Sequence, residues 1–265
     1  MATQDEVFQQ ELRDDLSEQK ERFDNKGRAV GNGILLTISD DEFQTLRPHL
    51  EFVCLNIQQI LQEPGDKIEH AYFLNSGLVS LLVVTSDARS VEVAIVGREG
   101  FVGSPLAVHV RNSSQRAMVQ VPGDAFRIRS DVMDSVLPTL PGFKECLNHY
   151  ILLQSLQVSQ LAACNRLHEI EQRLARWLLM SHDRVRADKF PITHDLLAQM
   201  LGSGRPSVTV AAGTLQRAGL IEYTRGAVTV LNRKGLEDAA CECYAAIRKI
   251  GSYNGMSHPG DCRPY

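Results

Sequence analysis

The sequence predicts an α+β chain of two unlike halves: a roll of short β-strands in front and a helical module with a small hairpin behind, joined by one long helix. Three observations carry this. Between Val53 and Ile128, short β-rich runs alternate with glycine-bearing joints, the texture of a β-sandwich, roll or jelly roll. From Gly142 to Leu167 apolar residues recur at intervals of four and three, the period of a long helix. The charge is also divided: residues 166–235 carry eleven Lys/Arg against six Asp/Glu, whereas residues 1–165 carry fourteen against twenty-two. An acidic front and a basic rear suit a protein that touches a polyanion with one end only.

A chain of 265 residues with 43% hydrophobic and 23% charged residues has the length and composition of an ordinary two-domain globular protein. No run of about eighteen apolar residues occurs, so no membrane contact is expected. The opening stretch MATQDEVFQQELRDDLSEQKERFDNKGR is acidic and lacks the apolar core of a secretory signal, which points to the cytoplasm. The cysteines Cys54, Cys146, Cys164, Cys241, Cys243 and Cys262 are scattered and are expected to stay reduced. Cys241 and Cys243 flank one glutamate, but no second pair stands at zinc-finger spacing, so no metal site is expected.

In chain order, residues 1–30 read as a polar arm, loosely held or disordered. Residues 31–138 form the roll. Ser39 is a good N-cap before the acids of SDDEFQTL, with Phe43 and Leu46 at helical spacing. The strands are carried by HAYFLN, LVSLLVVTS, SVEVAIV, AMVQVP and AFRIR, and two PGD turns, Pro64–Asp66 and Pro122–Asp124, open successive strand pairs. Residues 139–168 are the long helix, with Pro141 in its first turn. One stripe runs Phe143, Leu147, Tyr150, Gln154, Gln157, Leu161 and Cys164, and a second runs Cys146, Leu153, Leu156, Ala163 and Leu167. That spacing suits packing against a parallel copy of the same helix, hence a homodimer, or covering of the roll within one chain.

Residues 169–235 form the rear module and residues 236–265 a C-terminal helix and tail. HEIEQRLARWLLMSHDRV buries Ile170, Leu174, Trp177 and Leu178. A short helix follows, with Thr193 as N-cap and Asp195 in its first turn. Gly202 ends that helix in the left-handed region, Gly204 or Ser203 caps the next, and Pro206 lies where a missing N–H costs nothing. The hairpin GLIEYTRGAVTVLN turns at Thr224-Arg225-Gly226. Helix, short helix, second helix and hairpin in this order make a winged helix-turn-helix. Arg205 leads the second helix, where a guanidinium reaches guanine O6 and N7. Ser207 and Thr209 stand close behind it, Val210 faces a thymine methyl, and Val208, Ala212 and Leu215 face the core. Arg217 and the wing residue Arg225 are candidates for phosphate contact, and Thr193 is a further candidate DNA contact. The implied partner is double-stranded DNA.

On CNRLHEIEQRLARWLL, ITHDLLAQMLGSGRPSVT and LQRAGLIEY in the rear, and PGD, YFLNSGLV and GREGFVGS in the front, the chain resembles the Crp/Fnr family of bacterial transcription regulators from roughly Ser39 to Asn232. The resemblance implies a cyclic-nucleotide-binding-like roll, a dimerisation helix and a winged helix that reads a two-fold symmetric site and acts on RNA polymerase. It also implies an effector pocket at Gly103, Ser104, Arg116, Ala117, Val158 and Ser159. In cyclic-nucleotide-responsive relatives an acid follows the glycine and a hydroxyl residue follows the arginine. Here Ser104 and Ala117 stand in those places, so a cyclic nucleotide or another small effector is left without its full set of partners. The family's clustered N-terminal iron–sulfur cysteines have no counterpart before Cys54, and haem ligation would draw on His70, His109 or Cys54. In the recognition helix, Pro206 and Val210 replace a glutamate and an arginine of the cyclic-AMP regulators, which implies a different operator. Cys164 to Glu169 reads as the hinge between long helix and rear module, with Cys164 a small buried residue or a redox switch. No catalytic triad or phosphate loop is recognisable, so an enzyme is not expected. The competing class is a ligand-binding adaptor whose winged helix contacts protein.

Overall fold

The computed structural model describes residues 21–87, 89–224 and 226–252. The first described residues are tighter than the arm expected for residues 1–30. Arg22 is buried, and its guanidinium donates to the Leu35 and Ile38 carbonyls and pairs with Asp40. Phe23 bridges Ala29. The carbonyls left open at the end of helix α1 (Gly33–Thr37) attract this cation, which fastens the segment to the roll. Ser39 caps α2 (Asp40–Leu46) as expected, accepting from the Glu42 N–H at 3.2 Å.

Eight strands build two four-stranded antiparallel sheets. One contains β1 (Glu51–Leu55), β3 (His70–Leu74), β6 (Phe101–Val102) and β8 (Gly123–Arg129), in the order β1-β8-β3-β6. The other contains β2 (Ile60–Gln62), β4 (Leu78–Val84), β5 (Ser90–Val96) and β7 (Arg116–Val121), in the order β2-β7-β4-β5. The second PGD carries the chain from β7 in one sheet to β8 in the other, and so marks a sheet change. The five runs read from sequence are β3, β4, β5, β7 and β8. Phe73, Phe101 and Phe126 fill the main core, and helix α3 (Ser130–Val136) closes it.

Helix α4 (Pro141–Leu167) is the long helix. It covers the roll with Phe143, Cys146, Leu147 and Tyr150, all in the same core. The Tyr150 ring lies so close to the Gly100 backbone that a Cβ there would come within 2.2 Å of it. Only glycine permits this approach. Of the second stripe, Cys146 turns inward, whereas Leu156 and Leu167 stay exposed at 43% and 73%, joined by Leu152 at 56%. Among the described residues, no helix is long and apolar enough to cross a membrane.

Behind it, α5 (Ile170–Val185), α6 (His194–Leu201) and α7 (Arg205–Arg217) pack with a three-stranded sheet of β9 (Lys189–Pro191), β10 (Ile221–Thr224) and β11 (Ala227–Val230), ordered β10-β11-β9. Helices α8 (Arg233–Ala239) and α9 (Cys243–Ser252) follow. Leu174, Trp177 and Leu178 are buried as read, and Ile170 is half-buried. The core of this module includes Leu78, Leu82, Ile95 and Met118 from the roll. Strand β4 is therefore covered on both sides, Val79 and Leu81 facing the roll interior and Leu78 and Leu82 facing the module. The run LVSLLVV, apolar on both faces apart from Ser80, is the sequence of such a strand.

Several polar groups cross this contact, among them Arg184 with Glu99 at 2.7 Å, Gln199 with Ser90, and Glu92. Glu92 of β5, fully buried, accepts from Ser80 Oγ and from Trp177 Nε1, the latter at 2.7 Å. Burial pushes its carboxyl up from 4.5 to about 7, against the pull of these donors and of Arg176. Between about pH 4.5 and pH 7 the unfolded chain has lost this proton while the folded chain keeps it, so stability falls as pH rises through that window. The fall amounts to roughly 3 kcal/mol. Thermal melts from pH 5 to pH 8 should show that Glu92→Gln flattens the fall; an unchanged slope would assign it to other groups.

Candidate nucleic-acid interface

The two helices that form the candidate interface owe their angle to the residues between them. Thr193 caps α6, accepting from the Leu196 N–H at 3.2 Å, and Asp195 lies in the first turn. Leu197, Met200 and Leu201 hold the helix in the core. Gly202, at φ +57, ends it, while the Ser203 N–H returns to the Ala198 carbonyl at 2.9 Å. This left-handed exit satisfies carbonyls that would otherwise be orphaned. Gly204 is extended and stands at the N-cap of α7, Arg205 and Pro206 form its first turn, and Val208, Ala211, Ala212 and Leu215 are buried beneath.

The opposite face of α7 is open. Arg205, Ser207, Thr209, Val210 and Arg217 are all exposed, and Thr193 is exposed at the neighbouring helix start. Arg205 pairs with Asp195 at 3.3 Å, both side chains about two-thirds in solvent. Such an ion pair contributes little and yields readily to a better acceptor. Thr209 Oγ1 lies 3.1 Å from His194 Nδ1, and Arg217 donates to Thr214 Oγ1. His194 titrates below the usual imidazole range, first because it is partly desolvated and then because Arg205 is near. His194, which residue types alone did not single out, and Asp195, read only as a first-turn acid, are the polar surroundings of the helix tip. Arg225 falls outside the described residues.

In the roll, Gly103 has φ +104 and starts a 3₁₀ turn, Ser104–Val108. A Cβ at this position would stand 3.1 Å from the Ala71 Cα. Arg116 is held by Glu63, Nε to Oε2 at 2.9 Å, and Ala117 beside it is fully buried. Val158 packs against the roll core. Ser159 is exposed and donates to the Ser155 carbonyl at 3.0 Å. The arginine offered for an anionic effector thus already has a carboxylate partner. His109 faces Asp134 at 3.2 Å, Cys54 is exposed, and His70 lies on β3, its imidazole kept below the usual range by burial.

The cysteines depart furthest from the sequence reading. Cys164 and His168 at the end of α4 meet Cys241 and Cys243 at the start of α9, their donor atoms all within 4.8 Å of one another. Linear spacing concealed this because the two pairs are more than seventy residues apart. The expectation of no metal site rested on linear spacing and did not foresee this grouping.

Two family models match successive parts of the chain: the Cyclic nucleotide-binding domain over residues 53–139 and the Crp-like helix-turn-helix domain over residues 172–239. The global nitrogen regulator of Synechococcus elongatus is 26% identical over 180 residues, covering 64% of this chain and 80% of that protein. Its counterpart from Synechocystis sp. is also 26% identical, over 64% and 79%. Among solved structures, a Crp/Fnr-family regulator from Eubacterium rectale superposes with a TM-score of 0.61 at 16% identity, covering 76% of this chain and 94% of that one. A c-di-GMP-responsive global regulator of Xanthomonas campestris gives 0.60 at 17% identity, covering 72% and 99%. These structural likenesses speak for the fold, and the proteins matched are regulators rather than enzymes. With a nucleotide-binding-type roll, a long helix and a Crp-like helix-turn-helix in one chain, the protein belongs to the Crp/Fnr family of DNA-binding transcription regulators.

Proposed function

We propose that the chain acts in the cytoplasm as a homodimer that reads a palindromic operator, with α7 of each protomer in successive major grooves about 34 Å apart. The observation that carries this reading is the division of α7, buried along Val208, Ala211, Ala212 and Leu215 and open along Arg205, Ser207, Thr209 and Val210. Arg205 reads a guanine after exchanging Asp195 for the base edge. Ser207 and Thr209 follow with bases or phosphates, and Val210 meets a thymine methyl. Arg217, Arg225 and Thr193 hold phosphates. The exposed side chains Leu152, Leu156 and Leu167 of α4 supply the seam between protomers. The dimer acts on transcription through RNA polymerase. The roll gates it through a small effector other than tightly held cyclic AMP, since Arg116 is engaged by Glu63 and Ala117 offers no hydroxyl.

Arg205→Ala should lose about 1–3 kcal/mol of operator affinity and relax one base position, read by binding to a library of duplexes. Equal losses on specific and nonspecific DNA would make Arg205 a phosphate contact instead. Leu156→Glu should convert the dimer to monomers in sedimentation velocity and abolish operator protection, while leaving salt-sensitive retention on heparin. A wild-type chain that sediments as a monomer and ignores every duplex would end the reading in favour of a protein-binding adaptor. Titration calorimetry should detect no micromolar cyclic AMP binding; a signal that vanishes in Arg116→Ala would reverse that assignment.

A further inference from the structure

The cluster at the hinge has the composition of a metal centre and the dimensions of one as well. The Cys164 and Cys241 sulfurs are 3.4 Å apart, and Cys243 Sγ lies 3.6 Å from His168 Nδ1. With Zn–S bonds of about 2.3 Å and Zn–N of about 2.1 Å, a tetrahedral ion holds its ligand atoms roughly 3.5–3.8 Å apart. Two edges of the quartet are therefore already near those of such a tetrahedron, and every other pair lies within 4.8 Å. An iron–sulfur cluster interposes sulfide and two or more irons between its thiolates, which this spacing does not accommodate.

The surroundings agree. His168 turns Nδ1 toward the sulfurs while Nε2 lies 3.0 Å from Glu242 Oε1, the carboxylate–histidine arrangement that orients a metal-binding imidazole. Gln160 Nε2 donates to Cys243 Sγ at 3.1 Å, as amides do to bound thiolates. Three thiolates, a neutral imidazole and a divalent cation carry one net negative charge. Arg176, 3% exposed and attracted to Cys164, supplies the matching positive charge, and its Nε has no hydrogen-bond partner. A buried cation of this kind requires a nearby anion, and Glu92, whose own burial keeps it protonated up to about pH 7, meets that need only in part. Beside the cluster a cavity of about 220 Å³, lined by Cys241, Glu242 and Tyr244 among others, opens toward solvent.

We propose that Cys164, His168, Cys241 and Cys243 bind one tetrahedral divalent cation of the zinc class. It ties the end of α4 to α9 across the hinge and fixes the direction in which the DNA-binding module leaves the long helix. The site is independent of which duplex, if any, the protein reads.

The test uses the full chain, purified under reducing conditions. Elemental analysis should find one zinc per chain in the wild type and in Cys54→Ser, an exposed cysteine remote from the quartet, and only traces in Cys164→Ser and Cys243→Ser. Cobalt(II) added to the metal-free wild type should give the intense visible bands of tetrahedral thiolate coordination and saturate at one equivalent. This titration needs no variant, so it stands even where a cysteine substitution prevents folding. A metal-free wild type that gives no cobalt bands overturns the proposal. So does a wild type that carries iron and sulfide, or a cobalt spectrum unaltered in a folded Cys243→Ser protein.

Discussion

The centre of the sheet β2-β7-β4-β5, along β4 and β7, is buried on both sides, and the rest of the molecule is arranged around that constraint. A sheet with one face in water alternates polar and apolar residues, and β4 does not. Leu78 and Leu82 have to be covered, and α5 and α6 cover them. Once the outer face is closed, the polar groups it traps have to satisfy one another. Glu92 does so with Ser80 and Trp177, and Gln199 with Ser90. The roll and the DNA-binding module are thereby one packed body in this conformation. Their relative placement rests on apolar area plus a few directed polar contacts.

Much of this was legible from residue order alone. Ser39, Thr193, Gly202 and Pro206 act locally, through caps and a left-handed exit, and local chemistry survives translation into sequence. The buried face of α7 followed from helical spacing. The stripes of α4 were legible as stripes, but which one faces the roll depended on the glycine at position 100 that admits Tyr150. The firm seating of Arg22 depended on carbonyls thirteen and sixteen residues away.

What sequence hid was contact between distant segments. Glu92 in SVEVAIV looks like the solvent side of a strand until Trp177 arrives from α5. Arg116 looks like a free cation until Glu63 is found beside it. Cys241 and Cys243 look like an isolated pair until α9 lies down beside α4. In each case a polar residue changes meaning through a partner more than fifty positions away, a distance over which no periodicity or capping rule operates.

Pro206 has one more consequence. A helix tip normally attracts anions with several unpaired amide hydrogens, and the imino acid in the first turn of α7 deletes one of them. The tip is correspondingly poorer as a general-purpose grip on a sugar–phosphate strand. In the proposed complex, recognition by α7 then rests more heavily on its side chains than on its amide donors.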